Sequence, residues 1–280
     1  MTRFPILLAH GIAPFDQLLD PHQIDSGDDA HDYFRRIPST LSAAGYRVHR
    51  ASVSFSGGVS RRARDLKAEV ERVLLVENST KLHIIAHSMG GLDARHLLFE
   101  HQADRMADKI LSLTTIGTPH QGSSFADLGV RDAAALLQLL GTLGIHNLDG
   151  FADLTTFACR AFNAITENFE RSCGVRFQTY AGRQNLPFIF APLQPSWLYI
   201  HVHEGDNDGL VPVSSATWRP EYFRGLLDAD HLNEIGWWDP NELGASFFPS
   251  RRVVEGSRSE LDARIRRLYL DISAGLAEFE

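Results

Sequence analysis

The stretch LHIIAHSMGGLDARHLL, residues 82–98, decides the fold. It opens as an apolar strand, reaches Ser88, and runs on as a helix through GLDARHLLFE. A serine hydroxyl is a weak nucleophile until a base sits beside it. A sharp turn between a strand and a helix presents such a serine, strains its backbone, and leaves no room for side chains two residues away on either side. Ala86, Gly90 and Gly91 meet that demand. Glycine is usual at the first of these positions, and alanine is the smallest alternative. A Ser-Gly turn could instead cradle a phosphate at the helix N-terminus. A phosphate loop would want more glycines and a lysine, and none lies here. Ser88 is therefore the expected nucleophile.

A nucleophile elbow of this kind takes its partners in the chain order serine, acid, histidine. The chain has 13 histidines, and the order prunes them. His87 points away across a strained turn. His96 and His101 lie on the helix after the serine, and His10 shapes a loop. His201 and His203 fall on YIHVHE (199–204), which alternates like a strand. His231, in the polar loop DADHLNEIG (228–236), is the one that lies beyond the acid candidates. Those candidates are Asp206, Asp208, Asp228 and Asp230. EGDNDGLVP (204–212) sits at the carboxyl end of the expected strand, where sites gather in open α/β sheets. Asp208 precedes Gly209 and the apolar pair Leu210 and Val211, which favours a tight turn with one carboxylate held inward. Asp206 is second choice, and Asp228 and Asp230 read as a solvated loop. The developing oxyanion needs two backbone N–H donors. Met89, directly after the serine, offers one; LLAHGIAPF (7–15) offers the other through Ile12.

The surrounding chain alternates strand and helix. FPILLA (4–9), YRVHRASV (46–53), LHIIA (82–86), ILSLTTI (110–116) and FQTYA (177–181) read as strands. Residues 28–45 are helical in their second half and close at Gly45, and 60–78 carry apolar residues at helical spacing. Such alternation predicts an α/β fold, a mostly parallel central sheet with helices on both faces. From Ser123 to about Thr156 no strand interrupts a leucine-crowded run, so one domain, 1–280, is expected to carry a helical lid or cap insertion at about 123–170. Ser259 and Asp262 resemble a capping box opening a last helix, with Leu261, Ile265, Leu268, Ile272 and Leu276 as its stripe.

A formal charge of −8 argues against nucleic acid or an anionic membrane surface as partner, and suits a neutral or apolar substrate. No apolar run approaches a membrane span. No secretory signal is visible, which implies a cytoplasmic protein or export by a route that needs none. Cys159 and Cys173 lack zinc spacing and read as buried thiols ahead of a disulfide.

With these residues in place the chain resembles the bacterial triacylglycerol lipases, the "true lipase" family of α/β-hydrolases. The matching stretches are LLAHGI, YFRRIPSTLSAAGYRV, IIAHSMGGLDARHLL, TTIGTPHQGSSFADL, NDGLVPVSS and DHLNEIG, in order over most of the chain. The resemblance implies ester hydrolysis on lipids through Ser88, Asp208 and His231, with Ile12 and Met89 forming the oxyanion hole. It implies a mobile helical lid just after GTPHQGS, and a lipid or small ester as partner, met at a lipid–water interface. No cofactor is implied for the chemistry. Family members often hold a structural calcium near the catalytic histidine, with an acid two positions after it. Here that position is Asn233, and Asp239 with Pro240 stands where an Asp-Pro pair serves some relatives. Calcium is therefore expected to be absent or loosely bound, with Glu234 turned away and His231 held by packing around Trp237 and Trp238. Some relatives carry a cysteine just after the Asp-Gly-Leu-Val turn; Val213 and Ser214 stand there, so that bridge is absent.

Overall fold

The computed structural model describes residues 1–12, 29–55, 57–132, 149–237 and 251–280. Six strands make its sheet: β1 (Ile6–Ala9), β2 (Val48–Arg50), β3 (Leu82–His87), β4 (Ile110–Ile116), β5 (Arg176–Arg183) and β6 (Phe223–Asp228). They lie in the order β2-β1-β3-β4-β5-β6, and every neighbouring pair is parallel. Parallel neighbours need crossovers, and the crossovers put helices on both faces. In chain order these are α1 (Ile37–Ala43), α2 (Val59–Val76), α3 (Met89–Glu100), α4 (Met106–Lys109), α5 (Ser124–Arg131), α6 (Asp149–Ala152), α7 (Thr156–Ser172), α8 (Gln194–Glu204), α9 (Val213–Thr217) and α10 (Arg251–Gly275).

The two faces have separate cores, and β1 shows why. Ile6 and Leu8 join one cluster with Ile37 and Leu41 of α1 and with Ile265, Tyr269 and Ile272 of α10. Leu7 and Ala9 join the other, with Leu66, Val70 and Val73 of α2 and Ala94 and Leu97 of α3. Both faces of a central strand are apolar because both are covered, which is why these strands read as continuous apolar runs. The helix α1 closes as expected: Gly45 takes φ 90 and its N–H bonds the Ser42 carbonyl.

Three expectations need correction. Residues 199–204 are not a strand but the end of α8. Trp197 and Ile200 are buried at helical spacing, while His201 and His203 stack on Trp197 and Tyr199 one turn earlier, at 4.6 and 4.2 Å. Their alternation with apolar residues imitated a strand. The sixth strand is instead FRGLLD at 223–228, an edge strand whose two charges and glycine masked a true period-two burial pattern. The last helix begins upstream, at Arg251, so Ser259 lies inside it rather than at a cap. Its stripe holds: Ile265, Ile272 and Leu276 are buried.

Of the leucine-rich insertion, residues 133–148 lie outside the described residues. Its flanks are stitched to the core. Thr156 N–H donates to Asp127 at 2.9 Å, Val59 N–H to Asp153 at 2.7 Å, and Asn163 Nδ2 to the His120 carbonyl at 2.9 Å. Both cysteines are free thiols, and burial pushes Cys159 up to about 12. Among the described residues no helix is long and apolar enough to cross a membrane.

Buried histidines tie this fold to pH. Burial lowers His10 to about 3 and His83 to about 4, against an ordinary 6.5, and lowers His87 and His120 well below it. As pH falls below 6.5 the unfolded chain binds protons that the native state refuses, so stability is lost from there down, to about 4 for His83 and about 3 for His10. Each unit of depression is worth about 1.4 kcal/mol per group. Asp93 and Asp230, raised by burial to about 6, act the other way between 6 and 3.8, as does Glu234, which burial raises well above its ordinary range, and together they soften the loss. The melting temperature should therefore drop by several degrees between pH 7 and pH 4.5. A flat or rising profile would show that the histidines are not held neutral.

Candidate active site

Ser88 follows β3 directly and caps α3 with φ 55 and ψ −133, a strained backbone for a residue with a side chain. The neighbours that sequence reading required to be small are small for visible reasons. A Cβ on Gly90 would lie 2.6 Å from the Ala9 carbonyl oxygen, and one on Gly91 would lie 2.3 Å from Thr118 Oγ1. Ala86 is fully buried between Ala9 and Thr115 of the flanking strands. The elbow is pinned by Ser88 N–H to the Ile116 carbonyl at 2.9 Å and by Thr118 Oγ1 to the Ser88 carbonyl at 2.8 Å.

The structure brings Ser88, His231 and Asp208 into one hydrogen-bonded line. His231 Nδ1 donates to Asp208 Oδ2 at 2.7 Å, which leaves Nε2 free to accept from Ser88 Oγ, 2.9 Å away. The other Asp208 oxygen accepts the N–H groups of Leu210 and Val211 at 2.8 and 2.7 Å, and its carbonyl accepts from His231 N–H at 2.8 Å. The carboxylate thus cannot rotate without losing several bonds. The loop that carries it docks on the end of β5 through Gln184 N–H to the Asn207 carbonyl at 3.1 Å, not on a strand of its own. Asp206 lies apart, exposed, and bonded to Arg183 at 3.1 Å. Asp228 is exposed as expected, but Asp230 is not: it is fully buried and accepts the N–H groups of Phe190, Leu232 and Asn233 at 2.8, 3.0 and 2.8 Å. It ties the histidine loop together, and a buried acid that holds three backbone donors resembles a solvated one in sequence.

Met89 is the first residue of α3, so its N–H has no partner within the helix. Ile12 Cδ1 and Met89 Cε come within 3.0 and 3.2 Å of one point beside Gly150, which sets the two residues side by side. Behind the line lies a second chain of groups that sequence reading missed. Tyr33 Oη is 2.7 Å from His87 Nδ1, and His87 Nε2 is 3.0 Å from Glu234 Oε2. Glu234 was expected to turn away; it is fully buried and reaches within 3.8 Å of His231 Nδ1. Gly117 and Gly182 make its space, since a Cβ on either would come within 2.1 or 2.2 Å of the carboxyl. Burial, with Asp208 and Asp230 nearby, raises the Glu234 carboxyl well above its ordinary range.

Of the residues expected at a calcium site, Asn233 falls among the described ones. Asn233 is buried; its oxygen accepts from Asp230 N–H at 3.2 Å and its nitrogen donates to the Trp237 carbonyl at 3.1 Å. Asp239, Pro240 and Trp238 lie outside the described residues. The cluster that converges, His87, His231 and Glu234, lies within 4.8 Å but is nitrogen-rich and closed, unlike the oxygen set calcium takes. Trp237 does hold the loop, its Nε1 donating to the Asp32 and Tyr33 carbonyls at 3.0 Å each.

A family model described as "alpha/beta hydrolase fold" matches residues 5–220. A triacylglycerol lipase of Vibrio cholerae is 32% identical over 84% of this chain and 80% of its own. Triacylglycerol lipase 2 of Saccharomyces cerevisiae is 30% identical over 98% of this chain and 91% of its own. Among solved structures, Staphylococcus hyicus lipase superimposes with a TM-score of 0.66 at 17% identity, over 99% of this chain and 96% of that one. A metagenomic carboxyl esterase gives a TM-score of 0.69 at 18% identity, over 98% of this chain and 75% of that one. At those identities the structures speak to the fold alone, and the sequence relatives carry the rest. The chain belongs to the triacylglycerol lipase family of the α/β-hydrolase fold, and it is a serine ester hydrolase.

Proposed function

We propose that the chain hydrolyses acylglycerols through an acyl-enzyme on Ser88, with His231 as base and acid, Asp208 as its orienting carboxylate, and the Ile12 and Met89 N–H groups as oxyanion donors. The observation that carries this is the unbroken line from Asp208 Oδ2 to His231 to Ser88 Oγ, at 2.7 and 2.9 Å. Ser88 Oγ attacks the ester carbonyl carbon as His231 Nε2 takes its proton. Asp208 favours the imidazolium that forms. The tetrahedral oxyanion is met by the two N–H groups, which need no reorientation as charge develops. His231 then protonates the leaving glycerol oxygen as the C–O bond breaks. A water gives its proton to Nε2 and attacks the acyl carbonyl, and His231 returns that proton to Ser88 Oγ as the C–O bond breaks and the fatty acid is released.

An apolar acyl chain fits the surroundings. Ile12, Met89, Phe151, Leu154, Ile189 and Leu193 belong to the buried cluster on the serine side of the sheet. The leucine-rich part of 123–170 is read, from its sequence alone, as a cover for Ser88 whose leucines gain contact with lipid on opening. Loop packing through Asp230 and Trp237, rather than calcium, is read as the support for His231.

The test is activity against tributyrin across its solubility limit, with p-nitrophenyl esters of rising chain length beside it. A lipase with a responsive cover should gain activity once the substrate forms an interface and should keep it with long acyl chains. A plain hyperbola confined to short chains would make this enzyme a carboxylesterase with the same catalytic groups.

A further inference from the structure

Arg62 is fully buried on α2, and its guanidinium is directed at the backbone of the loop that follows β1. Nη2 donates to the His10 carbonyl at 2.8 Å and to the Gly11 carbonyl at 3.2 Å. Nη1 donates to the Ser54 carbonyl at 2.6 Å. Nε and Nη2 both reach Asp93 Oδ2, at 2.9 and 2.7 Å, so the buried charge is paired. His10 supplies a second donor to the Gly11 carbonyl, through Nδ1 at 2.8 Å. Its tautomer is settled by Val53 N–H, which donates to Nε2 at 3.3 Å.

Peptide geometry turns these bonds into a statement about catalysis. In a planar trans peptide the C=O and the N–H point in opposite directions. The Gly11 carbonyl and the Ile12 N–H belong to the same peptide. Two donors that hold the carbonyl toward Arg62 and His10 therefore turn the Ile12 N–H away from them. Gly11 itself packs on the nucleophile: a Cβ there would lie 2.8 Å from Ser88 Cβ and 3.2 Å from Ser88 Oγ. That packing sets the Gly11–Ile12 peptide close to the reacting serine.

We propose that Arg62, paired with Asp93 and assisted by His10, is a positioning residue for ester hydrolysis: it locks the Gly11–Ile12 peptide so that the Ile12 N–H faces the oxyanion before substrate arrives. This rests on the proposed role of Ile12. A guanidinium suits the task because one fork can bond two successive carbonyls and a carboxylate at once, which an ammonium cannot do in the same geometry. Preorganised donors act because they cost no reorientation at the transition state, so a peptide free to tilt loses the effect without losing substrate binding.

The experiment compares Arg62→Lys with the parent enzyme on a soluble p-nitrophenyl ester, together with inhibition by a trifluoromethyl ketone that adds to Ser88 as a hemiketal oxyanion. Arg62→Lys should lower kcat about 10–100-fold with KM little changed, and should weaken the inhibitor by a similar factor. A residue that only supports the fold would lower the melting temperature and leave that split untouched. His10→Phe removes the second donor and should give the same pattern, while His10→Asn, whose Nδ2 stands near the Nδ1 position, should restore most of the rate. These two variants decide the matter if Arg62→Lys does not fold. Folded Arg62→Lys or His10→Phe enzyme with near-normal kcat and inhibitor affinity would overturn the lock. Ile12→Pro separates the two readings. It deletes the N–H itself and should cost about 10²–10³-fold. If Ile12→Pro turned over normally, the oxyanion assignment would fall. If Ile12→Pro were crippled while Arg62→Lys and His10→Phe were not, the lock alone would fall.

Discussion

Ser88→Ala should abolish turnover, with kcat down about 10⁴-fold or more, while the protein stays folded. The substitution removes the one oxygen that His231 Nε2 faces at 2.9 Å. Without it no acyl-enzyme can form, and water must attack the substrate without a covalent route. On the proposed mechanism, what would survive is catalysis by the oxyanion donors and by binding. The fold should tolerate the change. Ser88 is almost fully buried, and alanine fits in its place. The elbow's backbone bonds, Ser88 N–H to Ile116 and Thr118 Oγ1 to the Ser88 carbonyl, involve no side-chain oxygen of residue 88. The measurement is kcat on a purified ester beside the melting temperature. A variant that kept most of its activity would remove the elbow from the mechanism.

The second large effect belongs to Asp208. Asp208→Asn should lower kcat by up to about 10⁴-fold, and the bonding pattern says how. One carboxylate oxygen accepts from Leu210 and Val211 N–H, the other from His231 Nδ1. An asparagine keeps its oxygen on the two backbone donors, so its NH₂ faces His231. Two donors cannot share that contact, and the imidazole answers by moving its proton to Nε2. The nitrogen beside Ser88 then donates where it must accept. Asp206→Asn makes the contrasting control. That carboxylate is exposed and pairs with Arg183, and such surface pairs are worth about 0–1 kcal/mol. Its rate should stay near normal. A larger loss for Asp206→Asn than for Asp208→Asn would reverse the assignment.

The elbow and the sheet around it were legible in the sequence because steric demands at Ser88 reach into residue identity. Gly90 and Gly91 face atoms that no side chain could avoid, and strands covered on both faces spell themselves as apolar runs. Asp208 was legible through its turn, although the element before it was misread: histidines stacked on aromatics one helical turn away alternate much as a strand does. The edge strand at 223–228 escaped because half of it meets solvent and carries charge. Glu234, His87, Arg62 and Asp230 escaped for a different reason. Each is a charged or polar residue whose burial depends on partners far away in the chain, His87 to Glu234 and Arg62 to Asp93 among them. No local pattern separates such a residue from a solvated one, so only the assembled fold reveals it.

The central claim is that Ser88 is the nucleophile of an ester hydrolase, and active-serine titration with a fluorophosphonate tests it most directly. The intact enzyme should take up one equivalent, lose its esterase activity in step with labelling, and yield the adduct on Ser88 by peptide mass spectrometry; Ser88→Ala should take up none. Full esterase activity in enzyme that resists labelling, or an adduct at a different residue that tracks the loss of activity, would contradict the account.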